Sequence, residues 1–155
     1  VYKRQEQAGK LSAIVTQNID GLHQAAGSKN VFELHGSVHR NYCQKCGKFF
    51  DVNYVVNAKG VPYCDECGGI IKPDVVLYEE GLDSQTINGA VRAISKADML
   101  IIGGTSLVVY PAAGMIDYFK GKYLAVLNRD ATSRDKQADL CITDPIGEVL
   151  GRIRV

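Results

Sequence analysis

Residues 98–128, DMLIIGGTSLVVYPAAGMIDYFKGKYLAVLN, contain two short apolar segments on either side of a helical stretch. The segments DMLIIGG (98–104) and KYLAVLN (122–128) are rich in Ile, Leu and Val, which is typical of β-strands. Residues 111–119, between them, are predicted to form a helix. Strands that are apolar on both faces and are joined by helices indicate a parallel sheet with both faces covered.

The same alternation runs through most of the chain. A helix is predicted from about Asp83 to Ser95, and DGLHQAAG (20–27) is predicted to be a short helix closed by Gly27. Further strands are predicted at SAIVTQN (12–18), NVFELHG (30–36), DVVLY (74–78) and DLCIT (139–143). The expected fold class is therefore α/β, with a doubly wound parallel sheet.

The composition is that of an ordinary globular protein. The 155 residues are 46% hydrophobic and 23% charged, with a formal net charge of +1. Lys and Arg are interspersed with Asp and Glu, which argues against general polyanion binding. No apolar run approaches the roughly 20 residues that cross a bilayer, and the start of the chain lacks an apolar signal-peptide core. We therefore expect a cytoplasmic protein with no membrane partner.

The two ends of the sequence do not follow the strand and helix pattern. VYKRQEQAGKLS (1–12) is polar, and residues 1–5 are expected to lie outside the fold. GRIRV (151–155) is expected to lie inside a helix.

Four of the five cysteines have the spacing C-x2-C-x17-C-x2-C, and they are Cys43, Cys46, Cys64 and Cys67. This spacing is typical of a zinc site with four thiolate ligands. The alternative, four buried or redox-active cysteines, needs two spaced pairs to arise together without a metal. Four thiolates leave no open position for water, so the zinc is expected to be structural. Cys141, in DLCIT, is expected to be a strand thiol.

A saturated zinc site leaves the two histidines before the first cysteine pair without a metal role. His35 closes the predicted strand VFELH, and the ends of parallel strands are where doubly wound folds place their chemistry. His35 is therefore the candidate functional histidine, against the alternative of a structural one. His39 is expected to face solvent.

Two further segments follow predicted strands with polar or small residues. Gln17, Asn18 and Asp20 suit recognition of a carboxamide or a ribose, although an Asx turn that caps the next helix would account for Asp20 alone. Gly103 to Ser106 precede a helix, where backbone N–H groups can approach a phosphate. This second signal is weak, and the fingerprint G-x-G-x-x-G is absent from the sequence.

These motifs resemble a known family. TQNIDGLH, ELHGS, the two C-x-x-C pairs, IKPDVVLYEE, GGTSLVVYPAA and LNRD occur in the order found in sirtuins of the bacterial type, which are NAD-dependent protein lysine deacylases. The resemblance implies a Rossmann-like NAD-binding domain at 6–40 and 72–155, interrupted by a zinc-ribbon module at 41–71. It also implies that the acyl group of an acyl-lysine peptide is transferred to ADP-ribose, with release of nicotinamide.

The resemblance assigns roles residue by residue. His35 resembles the general base of sirtuins. The positions that resemble cofactor-binding residues are Gln17, Asn18, Asp20, Gly103, Thr105, Ser106, Asn128 and Cys141. Val75, Val76 and Leu77 resemble the edge to which the substrate peptide adds as a strand. The implied cofactors are NAD as co-substrate and a structural Zn²⁺ ion.

The sequence departs from the family pattern in two places. Many sirtuins have glycine where this chain has Glu79, in Tyr78-Glu79-Glu80. The glycine-rich strand-turn-helix that begins the sirtuin domain is not among these residues, so the resemblance implies a fragment. Because that element binds the pyrophosphate, we expect these 155 residues alone to bind NAD weakly and not to deacylate peptides.

Two other functions remain alternatives. The first is a zinc-ribbon module that binds nucleic acid or protein, for which RNYCQKCGKFF (40–50) offers some basic and aromatic residues. The second is ADP-ribosyl transfer to a protein by a sirtuin-type enzyme.

Overall fold

The computed structural model describes residues 2–154. The helices are α1 (Tyr2–Gln7), α2 (Leu22–Ala25), α3 (Val52–Val56), α4 (Ser84–Lys96) and α5 (Ile146–Gly151). The strands are β1 (Ile14–Thr16), β2 (Val31–Glu33), β3 (Gly36–Cys43), β4 (Phe49–Asp51), β5 (Ile71–Val75), β6 (Met99–Gly103), β7 (Tyr123–Leu127) and β8 (Leu140–Ile142). Short 3₁₀ helices cover Ala112–Tyr118 and Asp135–Gln137.

The strands form two parallel sheets and one antiparallel sheet. β1 pairs with β2, and β6, β7 and β8 form a three-stranded parallel sheet with β7 in the centre. The antiparallel sheet has the order β4-β3-β5 and contains the cysteine-rich interval. The predicted α/β class, with an inserted cysteine-rich module, is confirmed.

Helix α4 and one 3₁₀ helix hold the two parallel sheets together. α4 begins after Asp83, whose carboxylate accepts a hydrogen bond from the Thr86 backbone N–H at 2.7 Å and so caps the helix. Its buried residues Ala90 and Ile94 share a core with Met115. Around this core lie apolar side chains of β1, β2 and β6, namely Val15, Phe32 and Leu100. The two parallel sheets therefore share one hydrophobic core.

The prediction that strands are covered on both faces holds for β7 but not for β6. Ala125 and Leu127 of β7 pack under Leu150 of α5, while Val126 packs on the opposite face. On β6, Met99 is 51% exposed and Ile101 is 42% exposed. The reason is that α5 covers β7 and β8 within the described residues and does not extend over these two side chains.

Two predicted elements differ in type or partner. The strand predicted at 74–78 is β5, Ile71–Val75, and it pairs antiparallel with β3 and not within a parallel sheet. An apolar run carries no information about its partner, so the pattern could not distinguish these sheets. The helix predicted at 111–119 is the 3₁₀ helix Ala112–Tyr118.

The expectation that residues 1–5 lie outside the fold is wrong for residues 2–5, and Val1 lies outside the described residues. The Arg4 guanidinium donates to the Gly151 carbonyl at 3.1 Å, and the Glu6 carboxylate accepts from the Asn30 backbone N–H at 2.9 Å. These contacts attach α1 to α5 and to the start of β2. The prediction that GRIRV lies inside a helix is wrong for residues 152–154, because α5 ends at Gly151. No helix within residues 2–154 is both long and apolar enough to cross a bilayer.

Candidate active site and zinc centre

The four paired cysteines converge at one end of the antiparallel sheet. Their Sγ atoms all lie within 4.8 Å of one another, and Cys43 to Cys67 and Cys46 to Cys64 are separated by 3.4 and 3.7 Å. Four sulfurs placed tetrahedrally about 2.3 Å from a zinc ion would be about 3.8 Å apart. The cluster therefore fits one Zn²⁺ ion with four thiolate ligands.

Local turn chemistry produces this cluster. In each C-x-x-C turn a glycine N–H donates at 2.9 Å to the carbonyl of the first cysteine, from Gly47 to Cys43 and from Gly68 to Cys64. Both glycines have positive φ values, which glycine adopts at low cost. The backbone N–H of Cys46 lowers the pKa of Cys43, whereas hydrogen bonds with the neighbouring thiols raise the pKa of Cys46 and Cys67. Within the cluster, the thiolate form that binds metal is therefore favoured first at Cys43.

A lysine on the surface of the ribbon lies beside two acidic residues of the second C-x-x-C turn. Lys48 Nζ lies 2.7 Å from an Asp65 oxygen and 2.8 Å from a Glu66 oxygen. The hydrogen bond from Lys48 lowers the pKa of Asp65. Because both carboxylates are exposed, we expect this ion pair to add little stability. Its importance is that Lys48 has its charge neutralised by its own neighbours.

His35 lies two residues beyond the end of β2, between the loop that follows β1 and strand β5. Its Nδ1 is 3.1 Å from the Gln17 carbonyl oxygen, and its own carbonyl accepts from the Val76 N–H at 3.0 Å. A carbonyl can only accept, so Nδ1 carries the proton and Nε2 keeps a free lone pair. Within the described residues, Nε2 has no hydrogen-bond partner. This tautomer can accept a proton at Nε2.

The loop after β1 carries Gln17, Asn18 and Asp20 next to His35. Asn18 is exposed, and its N–H donates to the Thr16 hydroxyl at 3.1 Å. Asp20 accepts from the Leu22 N–H at 3.0 Å, so the Asx turn considered from the sequence is present. The parallel pair β1-β2 thus brings the loop and the histidine together at the carboxyl ends of two adjacent strands.

A second group of predicted residues lies at the carboxyl ends of β6, β7 and β8. Gly103 is level with Leu127, and Asn128 follows immediately, donating from its backbone N–H to the Ile142 carbonyl at 3.0 Å. Cys141 lies one residue deeper in β8, level with Val126. The register of the three strands therefore places these residues together at the carboxyl end of the sheet.

The turn after β6 is open and polar. Gly104 has a φ of +60°, and its N–H donates to the Leu127 carbonyl at 3.1 Å. The Thr105 hydroxyl accepts from the Leu107 N–H at 3.3 Å, and Ser106 is exposed without a side-chain partner in the described residues. The exposed hydroxyl and the glycine backbone are accessible to a ligand.

The residues predicted to bind the substrate peptide lie at the end of β5, the outer strand of the antiparallel sheet, and directly after it. The Val76 backbone N–H donates to the His35 carbonyl, on the side of the strand that faces β3. Because backbone groups alternate along a strand, the N–H and C=O groups of Val75 and Leu77 face away from β3. Lys72 Nζ donates to the Val75 carbonyl at 3.0 Å, and Glu80 accepts from the Leu77 N–H at 2.9 Å. This edge is thus already in contact with side chains of the same chain.

Glu79, which replaces the glycine of many sirtuins, has a φ of +70°. The turn keeps the backbone conformation that favours glycine even though a side chain is present. The position at which the sequence departs from the family pattern is therefore strained in the structure, because Glu79 has a positive φ.

An ion-pair network around Arg40 corresponds to no motif in the sequence. Arg40 Nε lies 2.8 Å from Asp74 Oδ2 and Arg40 Nη1 lies 2.7 Å from Glu33 Oε2, and the Glu33 side chain is only 6% exposed. This network ties β2 to β3 and β5. Arg40 directly follows His39 in the sequence, but only the folded chain brings residues 33, 40 and 74 together.

A family model supplies the identification. The model of the Sir2 family matches residues 1–111, which is more than half of the chain. The chain belongs to the Sir2 family.

Two clostridial Sir2 relatives have high sequence identity. The NAD-dependent protein deacetylase of Clostridium acetobutylicum is 67% identical over 146 residues, which are 94% of this chain and 60% of that protein. The NAD-dependent protein deacetylase of Clostridium perfringens is 66% identical over 149 residues, which are 96% of this chain and 61% of that protein. The chain therefore spans about three fifths of the length of these relatives.

Solved Sir2 structures agree with the fold. A structure of Sir2 bound to an acetylated peptide has a TM-score of 0.88 and 38% identity, and the match covers 96% of this chain and 65% of that one. A structure of Sir2 with a p53 peptide and NAD⁺ also has a TM-score of 0.88 and 38% identity, covering 96% and 64%. The Sir2 fold with its four-cysteine cluster is thus shown for this chain.

Proposed function

We propose that these residues form part of an NAD-dependent protein lysine deacylase, which transfers the acyl group of acyl-lysine to ADP-ribose and releases nicotinamide. The observation that carries the proposal is the geometry of His35. Its Nδ1 is fixed by the Gln17 carbonyl, its Nε2 is free, and its backbone is hydrogen-bonded to Val76. The two clostridial relatives are NAD-dependent protein deacetylases, which supports NAD-dependent deacetylation as the activity.

The role proposed for His35 is that of a general base. An imidazole with Nδ1 held as a donor can accept a proton at Nε2 from a hydroxyl group placed beside it. The contact with Gln17 fixes the ring orientation, and the contact with Val76 fixes the main chain relative to the peptide edge.

The residues present fit an NAD molecule along the carboxyl ends of both parallel sheets. Gln17, Asn18 and Asp20 would contact the nicotinamide and its ribose. The residues that would contact the rest of the cofactor are Gly103, Thr105, Ser106, Asn128 and Cys141. NAD, when bound, supplies the ADP-ribose acceptor and the nicotinamide leaving group. The exposed Asn18 and Ser106 side chains and the glycine backbone after β6 are the observations that support this fit.

The proposed protein substrate is an extended acyl-lysine peptide that adds to the outer edge of β5. Val75, Val76 and Leu77 would provide this edge, of which the outward groups belong to Val75 and Leu77. Lys72 and Glu80 already form hydrogen bonds with these groups. A peptide would therefore have to replace those two side chains when it pairs with the edge.

The zinc ion is proposed to be structural, held by Cys43, Cys46, Cys64 and Cys67. Its four ligands complete the coordination, so proton transfer is assigned to His35 and not to a metal-bound water. We further propose the division into a partial Rossmann-like domain at 6–40 and 72–155, to which residues 2–5 are attached through Arg4, and a ribbon module at 41–71. We also propose a cytoplasmic location, which suits the five free cysteines.

The structure gives little support to a nucleic-acid-binding ribbon. Two cations in residues 40–50 form ion pairs within the chain. Arg40 pairs with Glu33 and Asp74, and Lys48 pairs with Asp65 and Glu66. Phosphate binding needs cations that are available to replace counterions. We therefore propose no specific nucleic-acid partner.

The test is mass spectrometry of an acetyl-lysine peptide incubated with NAD and the complete protein. Deacylation predicts equal amounts of free lysine peptide, nicotinamide and O-acetyl-ADP-ribose. Nicotinamide release with ADP-ribose attached to a protein would instead support the transferase alternative. A folded, zinc-containing protein that releases no nicotinamide would contradict the proposed function.

A further inference from the structure

Strand β3 contains a bulge directly after the segment that carries His35. Its pairing with β5 passes from Ser37–Asp74 to Asn41–Pro73, so residues 38–40 of β3 have no partner residues on β5. Bulges re-aim side chains and are frequent beside active sites. Residues 38–40 instead contact the loop after β1 and the acidic residues around Arg40.

The bulge is anchored on both sides. On one side, the Val38 N–H donates to the Ile19 carbonyl at 3.0 Å, which attaches the bulge to the loop after β1. On the other side, Arg40 is held by its two ion pairs with Glu33 and Asp74. The backbone of His39 is therefore fixed from both neighbours, and its ring is projected from a rigid base.

The His39 ring contacts the loop that carries the proposed nicotinamide-side residues. Its Nε2 lies 2.9 Å from the Asp20 carbonyl oxygen, and because a carbonyl only accepts, Nε2 must carry the hydrogen. The next residue, Gly21, has a φ of +67°, and a Cβ there would lie 2.7 Å from His39 Cδ2. The loop backbone thus lies directly against the ring, and a side chain at residue 21 would require the ring to move.

We propose that His39 is a positioning residue for the cofactor side of the site. It holds the main chain of Asp20, while the Asp20 side chain is held by the Leu22 N–H at 3.0 Å. Together the two contacts fix Asp20, which lies two residues after Asn18, against the strand that follows His35. The inference rests on the proposed function, because it assigns the loop of residues 17–21 to NAD. It also revises the sequence expectation for His39, which is exposed but makes a specific contact through its ring.

The test compares His39→Ala, His39→Asn and His39→Gln in the complete protein. The glutamine amide nitrogen reaches about as far from the backbone as histidine Nε2, whereas the asparagine amide is one methylene shorter. Loss of one hydrogen bond should raise the KM for NAD about 2–10-fold in the alanine and asparagine variants. The KM for peptide should stay near the wild-type value, and His39→Gln should restore the KM for NAD.

Hydrogen–deuterium exchange of the peptide covering residues 17–22 supplies a readout independent of turnover. Exchange should be faster in His39→Ala and His39→Asn than in the wild type and in His39→Gln. If all three variants match the wild type, or if glutamine is as damaging as alanine, the inference is wrong. A rise in the KM for peptide without a rise in the KM for NAD would also overturn it. If the wild type releases no nicotinamide, the proposed function fails, and the exchange measurement alone decides whether His39 holds the loop.

Discussion

The zinc ribbon and the cofactor side of the molecule are built in different ways. The ribbon collects four ligands from two short turns, and its core consists of Cys43, Phe50, Cys64 and Ile71. The cofactor side collects its residues from positions between 17 and 141, at the ends of five strands. One region is organised by local turns around a metal, and the other by the register of parallel strands.

This difference determines what a single substitution removes. In the ribbon, each cysteine is one of the four ligands of a single metal ion. The module is too small to bury a large core, so its fold depends on the metal. On the cofactor side, a residue such as His35 contributes one chemical group to a framework that other residues hold. We therefore expect substitutions in the ribbon to affect folding and those at the carboxyl ends of the strands to affect chemistry.

The largest expected effect is loss of zinc. Replacing any one of Cys43, Cys46, Cys64 and Cys67 by Ala should abolish stoichiometric zinc and unfold the ribbon, because structural zinc contributes on the order of 10 kcal/mol to such modules. Metal analysis and thermal unfolding measure this. Cys141→Ser is the matched control and should retain the zinc. Undiminished zinc in all four alanine variants would contradict the assignment.

Replacing His35 tests the opposite half of the comparison. His35→Ala should lower turnover of the complete protein by roughly 10²–10⁴-fold, the range for a lost general base, with fold and zinc content unchanged. Steady-state kinetics with circular dichroism and metal analysis would measure this. Arg92→Ala, an exposed cation on α4, serves as the control. A loss of turnover accompanied by loss of zinc would mean that the two regions are not separable.

Gly36 lies where the two regions meet and sharpens the comparison. Its φ is +77°, and a Cβ there would lie 1.8 Å from the Asp74 carbonyl oxygen. Gly36→Ala should lower the free energy of unfolding by more than the 1–2 kcal/mol or so expected for a left-handed alanine, because β3 and β5 must also separate. Gly60→Ala is the control, since Gly60 has a φ of +88° but nothing within 4 Å of its Cβ position. Equal losses in chemical denaturation would show that the close approach is unimportant.

The smallest expected effect concerns the cap of α4, on the cofactor side. The Thr86 backbone N–H lowers the pKa of Asp83 below its usual value, so this stabilisation is complete above the unfolded pKa of about 4 and is lost as the pH falls through the folded pKa. At neutral pH, Asp83→Ala should lower Tm by about 2–6 °C. Asp83→Asn should retain most of the capping but remove this pH dependence. Zinc content should not change in either variant, and a Tm equal to that of the wild type in Asp83→Ala would contradict the capping role.

The sequence predicted the ribbon better than it predicted the sheets. The spacing of Cys43 to Cys67 describes two local turns, and the structure brings their sulfurs together as expected. The α/β class and helix α4 also follow from local periodicity. The pairing of β5 with β3 could not be predicted, because the apolar run at 74–78 has the same composition whether its neighbour is parallel or antiparallel.

Long-range contacts account for what the sequence did not show at the candidate site. The positions of His35 and Gln17 after adjacent strands could be predicted from motif order, but the hydrogen bond that selects the tautomer of His35 could not. The same holds for the bulge at 38–40, which depends on a register shift against β5. No spacing in the sequence relates Arg40 to residues 33 and 74.

The Lys72 and Glu80 contacts on the outer edge of β5 have a consequence for self-association. An exposed strand edge with unpaired N–H and C=O groups is a template for strands of other molecules. Here the Val75 carbonyl is bound by an ammonium and the Leu77 N–H by a carboxylate, and these two groups form an ion pair at 3.2 Å. The side chains of Lys72 and Glu80 thus occupy the backbone groups of this edge and disfavour edge-to-edge pairing with strands of other molecules. A ligand that offers better hydrogen bonds can displace them.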